Sequence, residues 1–354
     1  MNILPETRCN LGVLLVGETF SASRTTQRAM AMRSLGCSVK EIPIQRTGHD
    51  YETKPNLSDR IRHKLGLPSD PAMANNNILS SVDFGKDILW MEAASMIKSK
   101  TLREVKSRYQ DIKIVCYSED DIFNRRNCSV WQKQCFPLID LWVTTKSFNV
   151  SLAELPSLGV RKTLFVNNSY DPSIHKPVSI ADKDKEIYGA EISFIGTFEK
   201  YRANSLLALA ENGLEIRVWG NGWSSLKNKH KNLRIEGRPA YNLEFAKVVN
   251  SSAINLCFLR RSNRDLQTCR SVELPACGGF MIHERNKEIE ALLPDEEAAI
   301  YFSSNLELIK LCRVWLKNQK DRQRISRQGR RRVECLRLSH ADNIVRVFDE
   351  LSLT

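Results

Sequence analysis

Glu191-Ile192-Ser193-Phe194-Ile195-Gly196 decides how the chain is divided. It is a short apolar run ending in glycine, and it restarts a pattern already present at Leu11-Gly12-Val13-Leu14-Leu15-Val16-Gly17. A continuous apolar run of this length reads as a strand buried on both faces, the kind found in parallel sheets. After Gly17, Ser21-Ala22-Ser23 offers a helix start, Gly36 a stop after Leu35, and 37–44 a second strand. Strand, helix and strand in that order predict an open parallel sheet.

Outward from these two starts the alternation continues. In the first half, strands are expected at 87–91, 112–117, 138–144 and 163–167. Helices are expected at 57–65, 101–110 and 150–158, the last closed by Gly159. Residues 46–80 are otherwise too polar to place. Between His175 and Glu191 the pattern stops: Lys176-Pro177 leads into Asp182-Lys183-Asp184-Lys185-Glu186 with no apolar period, which reads as a linker. In the second half, strands at 214–219, 232–235, 253–258 and 280–283 alternate with helices at 201–210, 242–249 and 270–277, followed by helices at 306–317 and 321–348. The expected fold is α/β, with two Rossmann-like domains facing across a cleft. The expected division is 1–176, a linker at 177–190, and 191–354, with the terminal helices free to pack back on the first domain. Ligands of such sheets bind outside the carboxyl ends of the strands.

The bulk composition agrees with two globular domains. The chain has 354 residues, and its shares of 42% hydrophobic and 27% charged residues exclude a disordered or fibrous chain. No apolar run approaches the roughly eighteen residues a membrane span needs. Residues 1–10 lack the charged and apolar regions of a signal peptide. The ten cysteines show neither CxxC pairs nor zinc-type spacing. Cys116, Cys257 and Cys277 sit in apolar runs, as small buried hydrophobes do. A reducing, cytoplasmic compartment is therefore expected. The net charge of +12 is densest where Arg322, Arg324, Arg327, Arg330, Arg331, Arg332 and Arg337 crowd together. Such a field attracts phosphates, whether of nucleotides, nucleic acid or anionic lipid. A solvated helix face is the plainer alternative.

Candidate chemistry lies in the loops after strands. Gly196-Thr197-Phe198 leads to Arg202, so backbone N–H groups and a helix start could meet a phosphate. Gly220-Asn221-Gly222-Trp223 permits a tight turn and close ligand approach. Gly237-Arg238-Pro239-Ala240-Tyr241 could present backbone groups and an aromatic ring to a nucleobase. Each of these is alternatively an ordinary turn. The richest stretch runs from Arg260-Arg261-Ser262-Asn263-Arg264-Asp265 to Arg270-Ser271-Val272-Glu273 and Gly278. Its arginines suit a diphosphate, and Glu273 could accept the two hydrogen bonds of a ribose diol. A helix-start carboxylate is the alternative for Glu273. In the first half, Gly17 and Glu119-Asp120-Asp121 end strands, and Asn168, Tyr170 and His175 follow the last one. These are candidates for an acceptor or for the cleft wall. The three carboxylates could also form a solvated turn or take Mg²⁺.

RSVELPACGGFMIHE (270–284) resembles the signature of the spore-maturation CgeB-type glycosyltransferases, which have the GT-B fold. The likeness extends through ISFIGTFEKYRANSLLAL (192–209), VWGNGW (218–223), IEGRPAYNLEFAKVVNSSAINLCF (235–258) and RISRQGRRRV (324–333). It is fainter at SEDD (118–121), LIDLWVTTKSFN (138–149) and LFVNNSYDPSIHKP (164–177). Val272 stands where the family usually has an aromatic, and Glu284 keeps the terminal acid.

The resemblance implies a hexosyltransferase-like enzyme of polysaccharide biosynthesis. The nucleotide sugar would bind the second domain and a glycan or lipid-linked acceptor the first. It implies that Asp265 and Glu273 occupy the positions of the paired catalytic acids of retaining relatives, with Asp265 one methylene shorter than the usual Glu. Arg202, Arg261 and Arg270 would neutralise the leaving diphosphate, with no metal or other cofactor. UDP- and GDP-sugars are the expected donors. A peripheral contact of the arginine-rich helices with the inner face of an anionic membrane is a further expectation. Two rivals stand beside this reading. One is a nucleotide-sugar- or glycan-binding protein of the same fold without catalysis. The other, a basic nucleic-acid-binding α/β protein, has the charge but none of the usual motifs, so no nucleic acid is expected.

Overall fold

The computed structural model describes residues 10–353. The expectation about a leader at 1–10 therefore falls, save for Asn10, outside the described residues. The chain forms two compact units: one runs to Asn167 and resumes at His340, and the other spans Asn168–Ser339.

The first unit carries β1 (Gly12–Gly17), β2 (Ser38–Pro43), β3 (Ile88–Glu92), β4 (Lys113–Ser118), β5 (Leu141–Thr144) and β6 (Thr163–Phe165). They form one parallel sheet in the order β2-β1-β3-β4-β5-β6. β1 shows why its sequence is apolar throughout. Leu14 and Val16 pack with Ala74 and Ile78 on one face, while Val13 and Leu15 pack with Ala29 and Met32 on the other. The second face is completed from the far end of the chain, by Ile344, Val347 and Phe348 of the helix His340–Glu350. The helix Arg24–Ser34 starts at Ser23, whose side chain accepts the Thr26 N–H, and stops before Gly36 at φ 92°.

The second unit repeats the plan with β7 (Ala190–Ile195), β8 (Ile216–Trp219), β9 (Leu233–Ile235), β10 (Ser252–Cys257), β11 (Met281–Glu284) and β12 (Ile300–Phe302). Its parallel order is β12-β11-β10-β7-β8-β9. The order of strands reverses between β7 and β10, which makes their carboxyl ends the switch point of this sheet. Ile192 and Phe194 face one core and Ile195 the other.

Several elements differ from the sequence expectation. Residues 321–348 form two helices, Gln319–Cys335 and His340–Glu350, in different units. The chain breaks where Arg337 takes φ 53° and Ser339 bridges Tyr170. The stretch 177–190 belongs to the second unit and contains the helix Asp182–Tyr188. Residues 150–158 hold no α-helix; short 3-10 turns at Ser147–Val150 and Leu155–Leu158 stand there, the second with Pro156 in its first turn. The helices Ala74–Ser81, Val130–Cys135 and Lys287–Leu292, and β12, appear without a sequence expectation. Among the described residues no helix is long and apolar enough to cross a membrane.

Candidate functional site

At the carboxyl ends of β7, β8 and β10 the glycine loops interlock. Gly196 donates its N–H to Trp219 O at 2.9 Å, and Gly196 O accepts Trp223 Nε1 at 2.8 Å. Gly220 sits at φ 145°, and a Cβ there would lie 2.0 Å from Gly196 O, so only glycine permits this approach. Gly222, at φ 85°, leads into the 3-10 turn Trp223–Leu226. Trp223 is buried and packs edge-on against Phe194 and Phe198, which makes it a core brace. Arg202 is buried too. Its guanidinium donates to Thr197 O and Phe258 O, both at 3.2 Å, and so ties the loop after β7 to the loop after β10 across the switch point. A cation expected on phosphate is here a strap between two backbone segments.

The loop after β10 carries three exposed arginines, Arg260, Arg261 and Arg264. The Arg261 side chain is 70% exposed, with its guanidinium 4.2 Å above the Tyr201 ring and Nη2 3.7 Å from Glu284 Oε1. Glu284 Oε2 accepts Leu259 N–H at 3.0 Å and also meets the Tyr201 hydroxyl. Burial and the adjoining Glu284 carboxylate push the Tyr201 phenol well above its ordinary range, so it stays protonated. Asp265 is turned into its own loop: it accepts Arg260 N–H at 3.2 Å and Asn263 Nδ2 at 2.7 Å. Arg264, at φ 47°, closes the turn.

The helix Cys269–Ala276 starts with a capping box between Thr268 and Ser271. Ser271 also meets His283 Nε2 at 2.8 Å, and His283 Nδ1 meets Glu284 O at 2.6 Å. A carbonyl only accepts, so Nδ1 carries the proton and Nε2 accepts from the Ser271 hydroxyl. Burial lowers the His283 pKa to about 4, which keeps the ring neutral.

In the first turn of the same helix, Arg270 stacks 4.6 Å over the Phe245 ring, donates Nε to Ile195 O at 3.2 Å and ion-pairs with Glu273 Oε2. Glu273 is 1% exposed, and its other oxygen lies 3.5 Å from His175 Nε2. His175 meets Phe245 edge-on at 5.3 Å. Asn168, Tyr170 and His175, expected on the acceptor side, thus lie in the second unit. Asn168 N–H donates to Gln267 Oε1 at 2.8 Å, and its Oδ1 accepts Cys269 Sγ at 3.4 Å. Tyr170 N–H donates to Leu338 O. Gly278, at φ 74°, ends the helix against Pro177. Gly237 is exposed at φ 72°, and the half-buried Tyr241 caps the helix Asn242–Asn250. Gln267 and His283 had no sequence signal, since their partners come from distant segments.

In the first unit the three neighbouring carboxylates diverge. Glu119 pairs with Arg28 at 2.9 Å; burial raises its pKa, but Arg28 and Arg24 outweigh this and bring it down to about 2. Asp120 N–H reaches Ser118 Oγ at 3.2 Å. Asp121 is buried and accepts Asn149 Nδ2 at 3.0 Å. Arg28, which sequence reading did not single out, also clasps Glu92 through Nε at 2.5 Å and Nη2 at 2.9 Å, over the Tyr117 ring. Gly17 abuts Thr25, leaving no room for a Cβ. Among the described residues, no three His, Cys, Asp or Glu side chains gather in a way that could hold a metal ion.

Residues 202–344 match a family described as glycosyl transferase-like. No curated protein matches the chain. Among solved structures, Anabaena HepE in complex with UDP and glucose aligns with a TM-score of 0.64 at 10% identity, covering 98% of this chain and 100% of that one. The sucrose-phosphate synthase of Thermosynechococcus elongatus aligns with a TM-score of 0.63 at 11% identity, covering 97% and 99%. A putative UDP-N-acetylglucosamine 2-epimerase from Listeria monocytogenes aligns with a TM-score of 0.56 at 11% identity, covering 98% and 97%.

This is the GT-B fold.

The stretch matched by the glycosyl transferase-like family lies almost wholly within the second GT-B unit and contains Arg202, Arg261, Asp265, Arg270 and Glu273. Gly196 and Thr197 lie just before it.

Proposed function

We propose that the protein is a glycosyltransferase of the CgeB type, whose second unit binds a UDP- or GDP-sugar at the β7/β10 switch point. A hexosyl group would pass, with retention, to a carbohydrate or lipid-linked acceptor. The observation that carries this reading is the cluster of Arg270, Glu273 and His175 at the first turns of a helix, beside the end of β7. Diphosphate charge favours a helix start, and a guanidinium matches its oxygens. Donor binding would draw Arg270 from Glu273 onto the diphosphate and release one carboxylate oxygen to the ribose. Arg261, exposed at the same strand ends, would add a second cation as the diphosphate leaves. Arg202 and the glycine pair would keep the loops in place. Neutralisation by guanidinium groups makes transfer insensitive to chelators. Glu119 and Asp120 remain candidates for acceptor hydroxyls.

A thermal-shift panel of UDP-, GDP-, ADP- and CMP-sugars tests the proposal, because a ligand of the native state raises stability by mass action. One base should stabilise the wild type and fail to stabilise Arg270→Ala. If none does so, the reading fails. A second reading has one observation in its favour: Asp265 is held by its own loop, away from the role of a catalytic acid. A donor-binding protein without catalysis would show the shift but no release of nucleotide from any donor, with or without acceptor. A putative UDP-N-acetylglucosamine 2-epimerase shares the fold, and fold does not fix chemistry, so that turnover assay is necessary.

A further inference from the structure

The helix Leu57–Lys64 in the first unit leaves its aliphatic residues uncovered. None of its residues is buried. At about 100° per residue, Leu57, Ile61 and the capping Leu65 fall within an arc of about 80°. They are 69%, 51% and 66% exposed. Asp59 lies on the opposite side, where it accepts Ser69 Oγ at 2.7 Å and pairs with Arg46 at 3.9 Å. The aliphatic arc is therefore left exposed, while Asp59 is the one half-buried residue of the helix. Local sequence specifies this helix, since Asn56 caps it by accepting the Asp59 N–H at 2.7 Å. Scattered exposed aliphatics are ordinary, but three in helical register on one exposed face among the described residues are not.

Cations border that face. Arg60 and Lys64 fall on one side of the apolar arc and Arg62 on the other, and all three are exposed. Val130, also exposed, joins the apolar end through its N–H bond to Gly66 O at 2.9 Å. By contrast, the arginine-rich helix Gln319–Cys335, the sequence's candidate for an anionic surface, uses many of its cations internally. Arg322 caps the preceding helix at Trp315 O and Leu316 O, Arg332 donates to Leu292 O, and Arg324 and Arg330 pair with Asp321 and Glu334.

We propose that the Leu57–Lys64 helix docks flat on an anionic lipid surface. Leu57, Ile61 and Leu65 enter the boundary between headgroups and acyl chains, while Arg60, Arg62 and Lys64 lie against lipid phosphates. A second copy of this chain is a poorer occupant, because a two-fold contact through this helix would bring the same cations face to face. The inference does not depend on the donor site, and the two fail separately.

Flotation of the full-length protein tests it, with vesicles of phosphatidylcholine alone or mixed with phosphatidylglycerol. The wild type should float with the mixed vesicles and not with phosphatidylcholine. The variant L57S/I61S/L65S and the variant R60Q/R62Q/K64Q should each lose about tenfold or more in vesicle affinity. Both should keep the wild-type melting temperature, since these side chains are exposed. The proposal is overturned if the wild type does not float with mixed vesicles. It is also overturned if the serine variant floats like the wild type, or if Arg327→Gln/Arg331→Gln alone abolishes flotation. A lipid-independent dimer that the serine variant dissociates would assign the face to a second copy instead.

Discussion

His175 Nε2 faces Glu273 Oε1 at 3.5 Å, across a gap that sequence alone does not close. His175 Nδ1 accepts the Asp171 N–H at 3.0 Å, so the ring proton sits on Nε2 and points at the carboxylate. Glu273 is held from both sides: the Arg270 guanidinium on one oxygen and the His175 imidazole N–H toward the other. The helix that carries Glu273 and the segment that carries His175 are thereby locked together.

The first prediction follows from that lock. Arg270→Ala leaves a buried carboxylate without its cation and should cost about 2–4 kcal/mol of stability, because breaking a buried pair is worse than never forming it. Arg270→Ala/Glu273→Ala should recover part of this loss. Urea unfolding of the four proteins of this double-mutant cycle gives the coupling directly. Additive effects would show that the pair is not energetically joined.

Two glycines should respond differently to one methyl group. At Gly220 an added Cβ meets Gly196 O at 2.0 Å, so Gly220→Ala should cost more than about 2 kcal/mol and disturb the β7 and β8 loops. At Gly237 nothing lies within 4 Å, and only the positive φ opposes alanine. That substitution should cost about 1–2 kcal/mol. Chemical denaturation that ranks them the other way would refute the interlocked turn.

What the sequence made legible follows from where each signal is stored. Strands buried on both faces announce themselves as apolar runs, so β1, β4, β7 and β10 were readable in place. Arg270 and Glu273 were readable because both sit in one turn of one helix. Their partner His175 is visible as a residue but not as a contact, since only chain folding brings it there. The break at 336–339 contains neither glycine nor proline; Arg337 simply takes φ 53°, so 321–348 reads as one helix. The outward face of Leu57–Lys64 was equally hidden, because an amphipathic pattern does not say which side is covered.

Acid should weaken the first unit through Glu119. Its folded pKa of about 2 lies below the ordinary carboxylate value because Arg28 and Arg24 outweigh burial. Stability from this group is fully present above about pH 4.5 and is lost as pH falls through the folded value, by about 3 kcal/mol in all. Glu119→Gln should flatten that part of the stability profile. Glu92→Ala should be severe at all pH values, because Arg28 would keep its burial and lose its main partner, a loss of about 3–5 kcal/mol.

His283 should act at a milder pH and in the second unit. Its pKa is lowered from an ordinary value near 6.5 to about 4 by burial, so the unfolded chain binds the proton more readily. Stability from the neutral ring is complete above about pH 6.5 and falls away as pH drops toward 4, by about 3 kcal/mol in all. His283→Gln removes the titration while an amide oxygen can still accept the Ser271 hydroxyl, so its profile should be flat between these values. His283→Leu removes the acceptor as well, and should cost about 1–3 kcal/mol near neutral pH by stranding the Ser271 hydroxyl. Because that hydroxyl sets the capping box under Arg270 and Glu273, the leucine variant should also weaken nucleotide-dependent thermal stabilisation more than the glutamine variant. Equal nucleotide responses in the two would show that the Ser271–His283 bond supports the core but not the site.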